Sequence, residues 1–155
     1  MRLPWGARGF DAGKKIKGRK RMILCDVLGH LIAAAVHSAG EQERDGALHV
    51  LQPIIDNPNK YQRLEVVLGD AAFGGKLQEL FHHQTKGTKR LQIVKRSDQK
   101  GFVPQPKRWV VERTFGWWNW ERRLSKDYEH NPKTSKSLLF MTDSFLIAKK
   151  LKLST

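Results

Sequence analysis

Residues 64–83 read LEVVLGDAAFGGKLQELFHH, and the period of the apolar residues changes at Gly69 and Asp70. LEVVLGD, residues 64–70, is a short β-branched run ending on a glycine and an aspartate, which predicts a strand with an acidic tip. In AAFGGKLQELFHH, Leu77, Leu80 and Phe81 recur at helical spacing. Strand, acidic tip and helix together are the step of an alternating α/β sheet, and open sheets of that kind tend to place their sites at strand tips.

Working outward, RMILCDV and HLIAAAVH are apolar runs joined across Leu28 and Gly29, a pattern that predicts a β-hairpin although alanine favours helix. EQERDGALHVLQPII predicts a helix that stops at Pro53, because an interior proline loses a hydrogen bond and clashes with the preceding turn. A loop with Pro58 follows, LQIVKR at 91–96 predicts another strand, and a loop with Pro104 and Pro106 leads to a further helix. The order from residue 20 is β, β, α, β, α, β, α, with a last amphipathic helix over 134–151 built on Leu138, Met141, Phe145 and Ala148. Residues 1–19, rich in glycine, lysine and arginine and without either period, read as a basic loop before a single domain over 20–155.

Composition narrows the partner. The chain has 155 residues, with 29 Lys and Arg against 15 Asp and Glu, giving a formal charge of +14. So large an excess in a short chain points to a polyanion, nucleic acid foremost, rather than to an ordinary solvated surface. Lys14, Lys15, Lys17, Arg19, Lys20 and Arg21 cluster as a phosphate-binding patch. The one cysteine, Cys25, closes no internal disulfide and supplies no multi-thiolate zinc site, which fits a reducing cytoplasm. No apolar run has the length of a membrane helix, and MRLPWGARGF lacks a signal-peptide core. A soluble, cytoplasmic protein with no membrane partner is expected.

RWVVERTFGWWNWERRLSKDYE, residues 108–129, sets one acidic residue, Glu112, between Arg108 and Arg113. On a helix, Val110, Trp117 and Leu124 form one apolar stripe and Val111, Phe115 and Trp118 another, both suited to packing under a sheet. Arg108, Glu112, Gly116, Asn119 and Arg123 remain on a polar face with Trp120 at its border. A surface ion pair from Arg108 to Glu112 would account for that glutamate, at a few tenths of a kcal/mol. A capping role would equally account for Asp70. Against these stands joint binding of a hard divalent cation by a strand-tip aspartate and a helix glutamate, an arrangement suited to phosphodiester chemistry. Two carboxylates alone leave both readings standing. The six histidines show no metal-ligand spacing.

GFDAGKKIKGRKRMILCDVLGHLIAAAVHSAGEQERDGA, VVLGDAAFGG, LQIVKR and RWVVERTFGWWNWERRLSKDYEHNPKTS, in this order, resemble consecutive blocks of the catalytic domain of bacterial insertion-sequence transposases of the DDE type. The resemblance runs from about Phe10 to Leu151 and is to the broad set containing insertion-sequence groups four and five. It implies a ribonuclease H-like α/β fold, a mixed sheet with flanking helices, and two aspartates and a glutamate holding Mg²⁺ or Mn²⁺. DNA, as element ends and target, is the implied partner, with a homodimer or a full-length transposase as further protein partners and the bacterial nucleoid as location. Asp70 takes the place of the second aspartate and Glu112 that of the glutamate. In the family's Y-R-E-K signature Arg108 matches the arginine, while the tyrosine and lysine positions hold Gln105 and Asn119. Arg122 and Arg123 are the candidates to replace the missing phosphate contacts, beside Arg113 and Trp120.

The first aspartate of the family stands upstream of the glycine-rich basic loop, and MRLPWGA contains none. A copy truncated or frame-interrupted at its N-terminus is therefore expected, missing the first central strand, folding poorly and inactive alone. Asp26, at a strand end, is the local alternative as a metal ligand, although it resembles the family's hairpin-turn aspartate. Asp11, in a glycine-rich loop, and Asp45, at a helix start, fit worse. A non-catalytic basic DNA-binding fragment, or a regulator of a full-length transposase, is the alternative function; only catalysis requires Asp70 and Glu112.

Overall fold

A computed structural model describes residues 8–94 and 109–153. The chain divides into two compact units, residues 1–41 with 109–155, and residues 42–108.

The first unit is built on a three-stranded antiparallel sheet in the order β1 (Gly9–Asp11), β2 (Ile16–Cys25), β3 (Leu31–Ser38). The expected basic loop is corrected here: residues 9–11 and 16–20 are strand, and only the turn between them is irregular. Asp11 sets that turn, because its Oδ1 accepts the N–H groups of Gly13 and Lys14 at 3.0 Å each while its Oδ2 lies 3.0 Å from Lys20 Nζ. Gly9 packs so closely that an added Cβ would stand 2.1 Å from Ser38 Oγ.

The predicted hairpin is present, shifted to β2 and β3, with its turn over Asp26–His30 and a bulge between Leu24 and Cys25. Strand alternation puts Arg19, Arg21 and Ile23 opposite Ser38, Val36 and Ala34 on one face. There Ile23, Ala34 and Val36 pack with Trp118, Leu124, Leu138 and Leu139. The small alanine allows the helix carrying Leu138 and Leu139 to come close to the strand, which explains an alanine-rich segment that is not helical.

That helix, α4 (Pro132–Leu153), is longer than expected and turns a different face inward. Ser135, Leu138, Leu139 and Asp143 are buried, whereas Met141 and Phe145, expected in the core, are 65% and 62% exposed. The preceding helix, α3 (Trp109–Asn119), is shorter than the 108–129 stretch and buries Val110, Thr114 and Trp118, four residues apart. Thr114 escaped the apolar pattern because it is polar; its Oγ1 lies 2.9 Å from the Gly29 carbonyl and 3.0 Å from that of Val110. Leu124 is buried, but from the irregular segment beyond the helix.

The second unit contains a βα step. Parallel strands β4 (Val66–Gly69) and β5 (Arg90–Ile93) pair, and α2 (Lys76–Gln84) lies between them in sequence. A short 3-10 turn, Ala71–Phe73, precedes α2, whose Leu77 and Phe81 are buried while Leu80 is 39% exposed. Helix α1 (Glu43–Asp56) runs through Pro53 instead of ending there. Proline at that position forgoes one helical hydrogen bond, and burial of Val50, Leu51 and Ile54 holds the turn around it. Lys89 is buried and donates from Nζ to the carbonyls of Tyr61 at 2.7 Å and Leu64 at 2.9 Å. Among the described residues the β1–β2–β3 and β4–β5 sheets share no strand.

Gly29 has a left-handed φ of +88°, and a Cβ there would stand 2.8 Å from Thr114 Oγ1. Gly29→Ala is therefore expected to destabilise the protein by about 1 to 3 kcal/mol in urea denaturation. The backbone N–H of Lys14 leads the groups that hold the Asp11 carboxyl below its ordinary value, followed by the Lys20 side chain. Its contribution is present above the ordinary carboxylate pKa and is lost as pH falls through the lowered one. Amide exchange protection of β1 is expected to fall in that acid window and to be insensitive to pH there in Asp11→Asn.

Candidate functional site

Asp70 stands at the end of β4, as the sequence pattern requires, and is exposed. It caps the following 3-10 turn, with Oδ1 accepting the N–H of Ala72 at 3.0 Å. The capping role and a metal role are compatible, because a carboxylate has further lone pairs to offer. Glu112 lies in the first turn of α3 on its exposed side, where inward packing of Val110, Thr114 and Trp118 directs it. Arg108 and Gln105 lie outside the described residues.

Both carboxylates supply hard oxygen donors of the kind Mg²⁺ and Mn²⁺ take. Among the described residues no group of three or more His, Cys, Asp or Glu side chains is arranged to hold a metal ion. The donors present therefore match the metal in kind, and the described residues do not assemble a complete set of ligands. Asp26 is engaged in the hairpin turn: its Oδ1 accepts the N–H groups of Leu28 and His30 at 2.9 Å each. Burial pushes the neighbouring Cys25 thiol above its ordinary value, which keeps it protonated and unreactive.

The six basic residues of the expected patch fall into two sets. Lys14, Lys15 and Lys17 are exposed around the β1–β2 turn, Lys15 in the left-handed region at φ 53°. Lys20 is held between Asp11 and the Glu41 carbonyl. Arg19 and Arg21 lie on the core face of β2 and are committed internally. The side chain of Arg19 is 1% exposed, donates to both oxygens of Asp127 at 2.8 Å, and also reaches the Glu129 and His130 carbonyls. Arg21 donates to the carbonyls of Leu124 and Lys126, and burial lowers its pKa with Asp127 acting in the opposite direction. Sequence reasoning that counted charges could not separate these sets. The alternation Arg19, Arg21, Ile23 in a strand was the available signal.

Arg113 is likewise structural in its contacts. Its guanidinium lies 4.2 Å from the Trp109 ring and 4.7 Å from that of Trp117, and donates to the Leu28 carbonyl at 2.9 Å. Lys150 covers Trp117 at 4.2 Å. Arg123 pairs with Glu129 at 2.6 Å, whereas Arg122 is exposed and Trp120 is 90% exposed. A second unforeseen cluster joins Asp143, buried on α4, to the hairpin turn: Oδ2 accepts the Leu31 N–H at 2.9 Å and Oδ1 lies 3.6 Å from His30 Nδ1.

No helix among the described residues is long and apolar enough to cross a membrane. A family model described as transposase DDE domain matches residues 2–142. Neither the curated proteins nor the solved structures contain a match to this chain.

Arg19→Ala leaves Asp127 and two carbonyls without their donor, so a loss of about 3 kcal/mol is expected in urea denaturation. Arg122→Ala, on an exposed side chain, should stay within about 0.5 kcal/mol of the parent. Equal stabilities for the two variants would show that the Arg19 contacts contribute nothing.

Proposed function

Because the chain belongs to the transposase DDE domain family, we propose that it acts in insertion-sequence transposition, as part of the machinery that cuts and joins DNA at element ends. The observation carrying this reading is the family match over residues 2–142. The finer placement near insertion-sequence groups four and five rests on the resemblance of the VVLGDAAFGG and RWVVERTF blocks. A ribonuclease H-like fold belongs to the same proposal, supported by the mixed antiparallel and parallel strands with helices.

Asp70 and Glu112 are the proposed aspartate and glutamate of the catalytic set. The strand-end position of the first and the exposed helical position of the second support the assignment. When bound at such carboxylates, a divalent metal lowers the pKa of an attacking water or hydroxyl and stabilises the attacking and leaving oxygens of a phosphodiester displacement. The residues themselves would hold the cation. Lys14, Lys15 and Lys17, exposed around one turn, would bind DNA phosphates; Arg122 would do the same beyond α3. DNA as partner places the protein at the nucleoid, with a second copy or a full-length transposase as its proposed protein partner.

Two measurements test this reading. Mn²⁺ binding followed by electron paramagnetic resonance should weaken roughly tenfold or more in Asp70→Asn and in Glu112→Gln and be unchanged in Asp26→Asn. Unaltered Mn²⁺ affinity in both variants, with DNA binding intact, would favour a non-catalytic DNA-binding protein. For DNA, the slope of log K against log salt should fall by roughly 2 to 3 in the Lys14→Ala, Lys15→Ala, Lys17→Ala triple variant, about 0.9 for each lost contact to duplex phosphates. An unchanged slope would remove these lysines from the interface.

A further inference from the structure

The segment after α3, residues 120–130, has no regular secondary structure, yet its backbone is tied down at many points. Arg21 takes the carbonyls of Leu124 and Lys126, and Arg19 takes those of Glu129 and His130 together with the Asp127 carboxylate. Leu124 is 2% exposed and anchors the middle of the segment in the core. Turn hydrogen bonds from Glu121 N to the Trp118 carbonyl and from Leu124 N to the Glu121 carbonyl, both 2.9 Å, fix its start. With these carbonyls engaged, Trp120, Arg122, Lys126 and Tyr128 remain exposed.

Those side chains are of an unusual kind for a solvated loop. Trp120 is 90% exposed and Tyr128 is 56% exposed. Arg122 and Lys126 are exposed, and the acidic groups near them are largely taken: Asp127 by Arg19 and Glu129 by Arg123. Glu121 remains as one exposed carboxylate. A rigid backbone that presents an uncovered indole, with free cations close by in sequence, meets the requirements of a platform for bases with phosphates at its edge. Rigidity lowers the ordering cost of binding, and every base has a face that can stack. A duplex, with its bases stacked on each other, offers no free face to the indole.

We propose that the Trp120–Tyr128 segment binds unpaired nucleic-acid bases, with Trp120 as the stacking platform and Arg122 and Lys126 contacting the adjoining phosphates. The inference deepens the DNA-acting reading and rests on it. Arg19 and Arg21 are positioning residues that hold the segment in its presenting shape.

Fluorescence anisotropy with a labelled oligothymidylate, the same strand carrying abasic positions, and a duplex of equal length tests the proposal on the full chain. Trp120 packs against little, so Trp120→Ala should keep the parent's denaturation midpoint. It should weaken oligothymidylate binding roughly tenfold and leave duplex binding within about twofold. Abasic positions should weaken binding by the parent and make little difference to Trp120→Ala. Arg122→Gln should reduce the salt slope for the single strand by about 0.7. Parent-like oligothymidylate affinity in Trp120→Ala, or an equal loss on single strand and duplex, would overturn the proposal while leaving the transposase reading intact. Failure of the parent to bind either nucleic acid would overturn both.

Discussion

A guanidinium buried in the middle of a strand is costly unless its donors find acceptors, and Arg19 shows how the first unit supplies them. Its 1% exposed side chain engages the Asp127 carboxylate and two backbone carbonyls more than 100 residues further along the chain. An ion pair alone gains little over the desolvation of its charges; the two added carbonyls bring the hydrogen bonds of the guanidinium to four and turn a liability into a fixed point. Removing the arginine would strand a carboxylate and free a loop. Arg21 repeats the device one step along the same strand face, so the irregular segment after α3 is tied to β2 at two further carbonyls.

A second fixed point seats α3 and α4 on the hairpin turn. Gly29 offers its carbonyl to Thr114, and the absence of a side chain at φ +88° lets Thr114, Arg113 and Trp117 close over it. Asp143 receives the Leu31 N–H, so the same turn also receives α4. Trp109, Arg113, Trp117 and Lys150 then alternate ring and cation along the outside of α3. The orientation of α3 follows from these contacts, and with it the outward direction of Glu112. An exposed carboxylate is thereby presented by packing on the opposite side of its own helix.

The second unit presents its carboxylate differently. Asp70 follows a parallel strand and caps the turn after it, so one oxygen anchors the exposed residue to the backbone. Capping and ligation were competing explanations of one aspartate in the sequence. The structure shows the cap, and the cap leaves the carboxylate further lone pairs.

Local signals determined a good deal of this protein. The β-branched run before Asp70, the apolar pair Leu77 and Phe81, the hairpin around Gly29 and the polar direction of Glu112 all follow from periods of two or 3.6 residues, which short-range geometry imposes on any chain. The blocks that resemble DDE transposases were legible for the same reason, being contiguous. Tertiary contacts decided what periodicity cannot carry. Pro53 stays inside a helix because neighbouring residues are buried; Met141 and Phe145 face solvent because Leu138 and Leu139 pack in the core and Asp143 pairs with the Leu31 N–H on the other side of α4. The division of the basic patch is of this kind. Charge treats Lys14 through Arg21 as one basic cluster, but only the partners of Arg19 and Arg21, brought together from distant sequence, determine that these two serve the fold while Lys14, Lys15 and Lys17 stay exposed.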